Sequence, residues 1–196
     1  MSEYTAIRDV SETLRALLET HITNSSEPSL NGVPVDLRTP RELRENNVEL
    51  AVSLWLYRLS RNGDLLNHPP PRPAPDRVLR APLSLDLYYL VTPLARDPAD
   101  EQVLMGKVLQ VFNDFTQPSG SLLSGDLAGT GAKFRVVFDS LSMQDLTQIW
   151  QSLQESYQFS VTYVVQTVLI DSEREAVRTS PVLVRETEYD LIQSVK

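Results

Sequence analysis

No cysteine occurs in the 196 residues, which removes disulfides, thiol nucleophiles, iron–sulfur clusters and cysteine-ligated zinc together. Histidine is nearly as scarce. His21 and His68 form no H-x-x-x-H pair, so a dedicated transition-metal site has no donor set. Basic side chains are outnumbered 18 to 26, and the net charge of −8 argues against a general nucleic-acid binder, whose affinity comes largely from Lys and Arg on phosphates. Long apolar runs are missing as well. The stretch from Leu50 to Leu59 is interrupted by Ser53 and followed by Arg61, well short of the roughly 20 apolar residues that cross a bilayer. The first dozen residues carry Glu3, Asp9 and Glu12 and no basic segment leading into an apolar one, so the sequence predicts a soluble chain made in the cytoplasm.

Catalytic signatures are equally thin. No serine sits in a G-x-S-x-G elbow. Four of the seven glycines fall in a Gly- and Ser-rich stretch over residues 119–132. Gly125-Asp126-Leu127-Ala128-Gly129-Thr130-Gly131-Ala132-Lys133 is only superficially like a phosphate loop. The G-x-x-x-x-G-K-[ST] spacing is absent, and Phe134 onward alternates like a strand where a helix N-terminus is required. A mobile loop is the expectation there, and no enzyme, cofactor or metal is expected anywhere.

What is present is ordinary globular material, 41% hydrophobic and 22% charged, in a length that suits one domain with an appended arm. Ile7, Val10, Leu14, Leu17, Leu18 and Ile22 recur at helical spacing, and Asn24-Ser25-Ser26 with Pro28 closes that helix. Val33, Val35 and Leu37 alternate around Pro34, which limits the segment to an edge strand. Val48, Leu50, Val52, Leu54 and Leu56 alternate with Glu49, Ala51, Ser53, Trp55 and Tyr57 in a long strand. Six of the 13 prolines fall between Pro69 and Pro82, a stiff extended connector or a docking arm.

A second long strand pairs Leu83, Leu85, Leu87, Tyr89 and Val91 with an opposite face of Ser84, Asp86, Tyr88, Leu90 and Thr92. Asp97-Pro98 starts a helix with the stripe Leu104, Val108, Val111, Phe112 and Phe115. Phe134, Val136 and Phe138 make a short strand. Ser142 caps a helix whose buried face is Leu146, Ile149, Trp150 and Leu153. Phe159 to Ile170 reads as the last long strand, with Val161, Tyr163, Val165 and Leu169 on one side. The order predicts an α+β fold, a mixed, mainly antiparallel sheet with two to three packed helices. Residues 1–171 form the domain and 172–196 a C-terminal arm with a possible strand over Pro181, Val182, Leu183, Val184 and Arg185. Trp55, Tyr57, Tyr88 and Leu90 lie opposite the core faces of two strands. They are candidates for an interface, since aromatics concentrate in interface cores, or for cover by a helix of the same chain.

Five segments in one order resemble a known family: Ile7 to Leu18, Leu54 to Leu59 with the turn Arg61-Asn62-Gly63-Asp64, Pro82 to Pro93, Leu104 to Val111, and Leu146 to Val164. Over about residues 5–170 the chain is similar to the N-terminal domain of the tube-terminator, or cap, proteins of extracellular contractile injection systems, the phage-tail-like particles of the antifeeding-prophage and virulence-cassette type. The resemblance implies a tail-terminator-like fold. It also implies a homohexameric ring that closes the inner tube at the end away from the baseplate, ends its growth and joins it to the last sheath ring. The implied partners are copies of the chain itself, the inner-tube protein and the sheath protein, with no nucleic acid, membrane or cofactor. A phage tail-completion or neck protein of similar fold is the alternative within that class, and a small-molecule-binding α+β domain the alternative outside it.

Overall fold

A computed structural model describes residues 4–65, 69, 70, 72, 74 and 76–178. Helix α1 (Ala6–His21) buries Val10, Leu14, Leu17 and Leu18 on the stripe that the spacing predicts. Strand β1 (Val35–Asp36) is only two residues long and lies at a sheet edge beside Pro34, as the missing proline N–H demands. Helix α2 (Pro40–Glu45) is absent from the sequence reading, although its signal is explicit. Thr39 and Glu42 form a reciprocal capping box, with Pro40 at the first helical position.

Strand β2 (Ala51–Arg61) begins later than its alternation suggests. Val48 packs instead against a small cluster of Leu43, Ala51 and Leu94, and Leu50 is exposed, because the chain leaves α2 through a turn at this point. Strand β3 (Arg77–Val78) interrupts the proline-rich segment. Strand β4 (Leu83–Leu94) and helix α3 (Pro98–Asp114) follow, the helix capped by Asp97 accepting the Ala99 N–H. Strand β5 (Arg135–Asp139), helix α4 (Met143–Ser152), strand β6 (Val161–Ile170) and strand β7 (Val177–Arg178) complete the order.

Five strands form one sheet in the order β1-β2-β4-β6-β5, with only the β1–β2 pair parallel. The fold is thus α+β with a mixed, mostly antiparallel sheet. Helices α1 and α3 cover one face. Val10, Leu14, Leu104, Val108 and Phe112 meet Val52, Leu54, Leu87, Tyr89, Val91, Tyr163 and Val165 in the main core. Helix α4 covers part of the other face. Strands β3 and β7 pair separately as a two-stranded ribbon. Pro181 to Arg185 lie outside the described residues, so the strand placed there is a matter for proposal.

Two bulges reset the side-chain pattern. On β2 the extra residue is Tyr57, since Leu56 pairs with Tyr89 and Arg58 with Tyr88. On β6, Gln166 and Thr167 stand where β4 has only Asp86, and Thr167 adopts a left-handed φ of 67°. The Asp86 carboxylate holds this irregularity by accepting from Asn62 Nδ2 at 2.9 Å and the Thr167 N–H at 3.4 Å. Val168 therefore joins the core in place of Leu169, which plain alternation puts there.

The Gly- and Ser-rich stretch is not free. Two short 3-10 turns, Gly120–Leu122 and Gly125–Leu127, carry Leu123 and Leu127 into the core. Asp9, buried on α1, accepts the Asp126 N–H at 2.9 Å, and Thr13 Oγ1 accepts the Ser124 N–H at 2.9 Å. Gly125 has φ +58° with the Asp9 carboxylate against it. A carboxylate thus fills the space beside the glycine where a phosphate-binding loop receives its anion.

Candidate functional site

The sheet face turned toward α4 divides into a dry half and a wet half. In the dry half Leu90 and Trp150 are fully buried and Leu153 nearly so, with Trp55, Tyr57, Leu146 and Ile149 packed around them. Trp150 Nε1–H donates to Ser160 Oγ at 3.1 Å, which gives the buried indole its partner. Arg41 of α2 fastens the far end of α4, reaching the Leu153 carbonyl at 3.2 Å and Gln154 Oε1 at 2.8 Å.

This arrangement splits the four aromatic and apolar candidates. Leu90 is covered by α4 of its own chain, so it is corrected from interface candidate to core residue. The physical reason is that the Leu146, Ile149, Trp150 and Leu153 stripe of α4 packs on that face and takes Leu90 out of solvent. Trp55 is half-buried in the same cluster. Tyr57 and Tyr88 keep partial exposure beyond the edge of α4. Pro181, Val182, Leu183, Val184 and Arg185 lie beyond Arg178, the last described residue.

The wet half is a cleft of about 590 Å³ lined by Tyr57, Arg58, Tyr88, Asp139, Leu141, Asp145, Gln148, Ile149 and Ser152. The β2 bulge creates it by setting Tyr57 and Arg58 side by side at one register position. The Arg58 guanidinium lies 4.9 Å from the Tyr88 ring centroid, and the Tyr57 and Tyr88 rings meet edge-on at 6.3 Å. Ser60 Oγ–H donates to the Tyr88 hydroxyl at 3.3 Å. Burial, together with the nearby Asp139 carboxylate, pushes the Tyr57 phenol up to about 12. Burial also raises the Asp139 carboxyl above its ordinary value, with Arg58 opposing the shift. Asp145 serves the first turn of α4, where Ser142 Oγ accepts its N–H at 3.2 Å and donates to its carboxylate at 2.6 Å. The sequence marks Ser142 as a helix cap with Asp145 three residues on, but it gives no sign that Asp145 shares a cleft with Arg58 and Asp139.

A second exposed surface lies at the β5 end of the sheet. Between α3 and β5 a groove of about 450 Å³ is lined by Leu109, Phe112, Val136, Phe138, Tyr163 and polar neighbours. Phe138 is 49% exposed at its rim, and Met143, Tyr157 and Phe159 leave the same end of the β5–β6 ladder exposed as well. The Phe138 groove is one candidate contact surface among exposed apolar positions that also include Tyr4, Leu50 and Val103. Among the described residues, no group of three His, Cys, Asp or Glu could hold a metal ion, and no helix is long and apolar enough to cross a membrane. His21 stacks on Phe115 at 5.1 Å, a packing role at the end of α1.

Two solved structures share this architecture. One is the sheath/tube terminator of an extracellular contractile injection system, PVC, in its extended state. It matches with a TM-score of 0.66 at 23% identity, covering 100% of this chain and 67% of that one. The other is the tube-terminating cap of the anti-feeding prophage, with a TM-score of 0.64 at 19% identity over 93% of this chain and 61% of that one. This chain therefore spans about two thirds of the length of either protein. Among curated proteins none matches the sequence. Residues 9–183, which take in β1 to β7 and nearly all of α1 to α4, match the model of the Pvc16 N-terminal domain, and the chain belongs to that family.

Proposed function

We propose that the chain is a structural terminator of a contractile, phage-tail-like particle. It closes the end of the inner tube away from the baseplate, stops tube growth and links the tube to the last sheath ring. The observation that carries this reading is the agreement between family membership and a shared fold with two tube-terminating proteins. The surfaces suit work done by binding. A polar aromatic cleft, an apolar corner and a separate β ribbon give one subunit several unlike faces. Unlike faces are what a head-to-tail ring requires, because each copy meets the next through two different patches. The proposed assembly is a homohexamer that contacts the inner-tube and sheath proteins, formed in the producing cytoplasm and carried in the particle. No substrate or cofactor enters the proposal.

Tyr57 and Tyr88 remain candidate contact residues at the cleft. Pro181 to Arg185 is proposed to add a strand to a neighbouring protein, main-chain pairing giving affinity and alternate side chains specificity. Incubating the labelled full chain with preformed inner tubes and imaging them by negative stain tests the terminator role. Label at one end of each tube, with elongation arrested there, is the expected result. Label along the tube walls, or none, would overturn it.

A further inference from the structure

The β3–β7 ribbon carries an electrostatic conflict. Arg77 and Arg178 are direct cross-strand partners, so their side chains share one face, and both are exposed. Like charges placed opposite each other destabilise a pair of strands. The ribbon stands apart from the five-stranded sheet, and an isolated two-stranded ribbon is marginal in water. Neither guanidinium has an ion pair or hydrogen bond among the described residues. The acids nearest in sequence are Asp76 on the β3 side and Glu173 and Glu175 on the β7 side, while Arg72, Arg80 and Arg174 add further positive charge.

The cleft beside α4 is the complement. Its lining holds two carboxylates, Asp139 and Asp145, against one guanidinium, Arg58. Its walls include the phenol rings of Tyr57 and Tyr88, and Arg58 of the same chain already lies over the Tyr88 ring, so a guanidinium fits against this wall. Both carboxylates line one cleft with those rings, Asp145 serving the Ser142 cap of α4 as well. Ribbon and cleft are different patches of one subunit, so a contact between them is heterologous and repeats around a ring.

We infer that the Arg77–Arg178 face of the ribbon on one copy docks in the Tyr57–Tyr88 cleft of the next, its guanidinium groups meeting Asp139 and Asp145. This contact rests on the terminator reading, and names the surface by which copies of the chain join. Charge exchange tests it on the full chain by light scattering at matched concentration. Asp139→Lys with Asp145→Lys makes a cleft variant, and Arg77→Glu with Arg178→Glu makes a ribbon variant. Each alone should self-associate at least about tenfold more weakly than the parent. An equimolar mixture should recover the parent assembly, because in a ring with an even number of subunits each basic cleft then faces an acidic ribbon. Asp139→Lys alone, which keeps the Ser142–Asp145 cap, replaces the double variant if α4 is lost, and the ribbon variant touches neither α4 nor the core. A parent chain that stays monomeric at every concentration, variants that assemble like the parent, or a mixture that stays dissociated would each overturn the contact. Variants that assemble like the parent leave the terminator reading standing, since that reading is judged separately on the tube.

Discussion

Asp9 and Gly125 illustrate how single residues hold this fold. The Asp9 carboxylate is 1% exposed on a helix, accepts the Asp126 N–H and pairs with Arg8. Replacing it with Ala leaves the Asp126 N–H without its acceptor, and we expect a loss of about 2 kcal/mol in urea unfolding. Gly125→Ala places a Cβ about 2.5 Å from that carboxylate at a φ of +58°, and should cost at least about 1 kcal/mol in the same measurement. Neither role was legible beforehand. An acid in the first turn of an amphipathic helix looks like an ordinary dipole partner, and only the return of a loop more than a hundred residues later buries it.

Two carboxyls give opposite pH signatures. Burial raises Asp139, so its contribution is most favourable below the ordinary carboxylate range and is lost as pH rises through the raised folded value. Asp139→Asn should therefore be more stable than the parent at pH 7, the gap closing below about pH 4. Asp36 is lowered, chiefly by its side-chain hydrogen bond with Arg38, so its contribution is present above the unfolded value and lost as pH falls through the lowered folded one. Asp36→Asn should be less stable at neutral pH, and no different in strong acid. Thermal melts across pH 2–8 read both trends, the range chosen about the unfolded carboxylate values.

At the scale of elements, α4 decides which half of the second sheet face is dry. Trp150 is its anchor, fully buried against Leu90 and hydrogen-bonded to Ser160. Trp150→Ala should cost about 3–5 kcal/mol and expose Leu90, seen as a fall in melting temperature with loss of near-UV tryptophan dichroism. The stripe Leu146, Ile149, Trp150 and Leu153 was legible because helical spacing is local. The same holds for α1, for α3 with its Asp97-Pro98 start, and for the Ser142 cap. Helix α2 was legible too, through Thr39-Pro40-Arg41-Glu42, but at six residues it has no periodic stripe to draw the eye. The bulges at Tyr57 and Thr167 were not legible. A bulge is fixed by what the partner strand offers, here the single Asp86 opposite two residues, and alternation along one strand carries no record of its neighbour. Plain alternation therefore puts Leu169 in the place that Val168 takes, and it carries no trace of the cleft.

For the whole molecule, composition and periodicity reach the fold class, since long alternating strands and three amphipathic helices leave few other layer arrangements. Strand order lies beyond them, because β1-β2-β4-β6-β5 depends on pairings distant in sequence. The candidate surfaces lie beyond them for the same reason: Arg58, Tyr88, Asp139 and Asp145 come from four elements. The ordered resemblance of five segments to the tube-terminator family agrees with the family match over residues 9–183. The proposed role makes a demand on the particle and not only on the chain. The most direct measurement is the length distribution and end structure of particles imaged by cryo-electron microscopy after deletion of this chain's gene alone. The terminator role predicts tubes of uncontrolled length with an open end, restored to uniform, closed particles when the chain is supplied again. Particles of unchanged length with a normal closed end would contradict it.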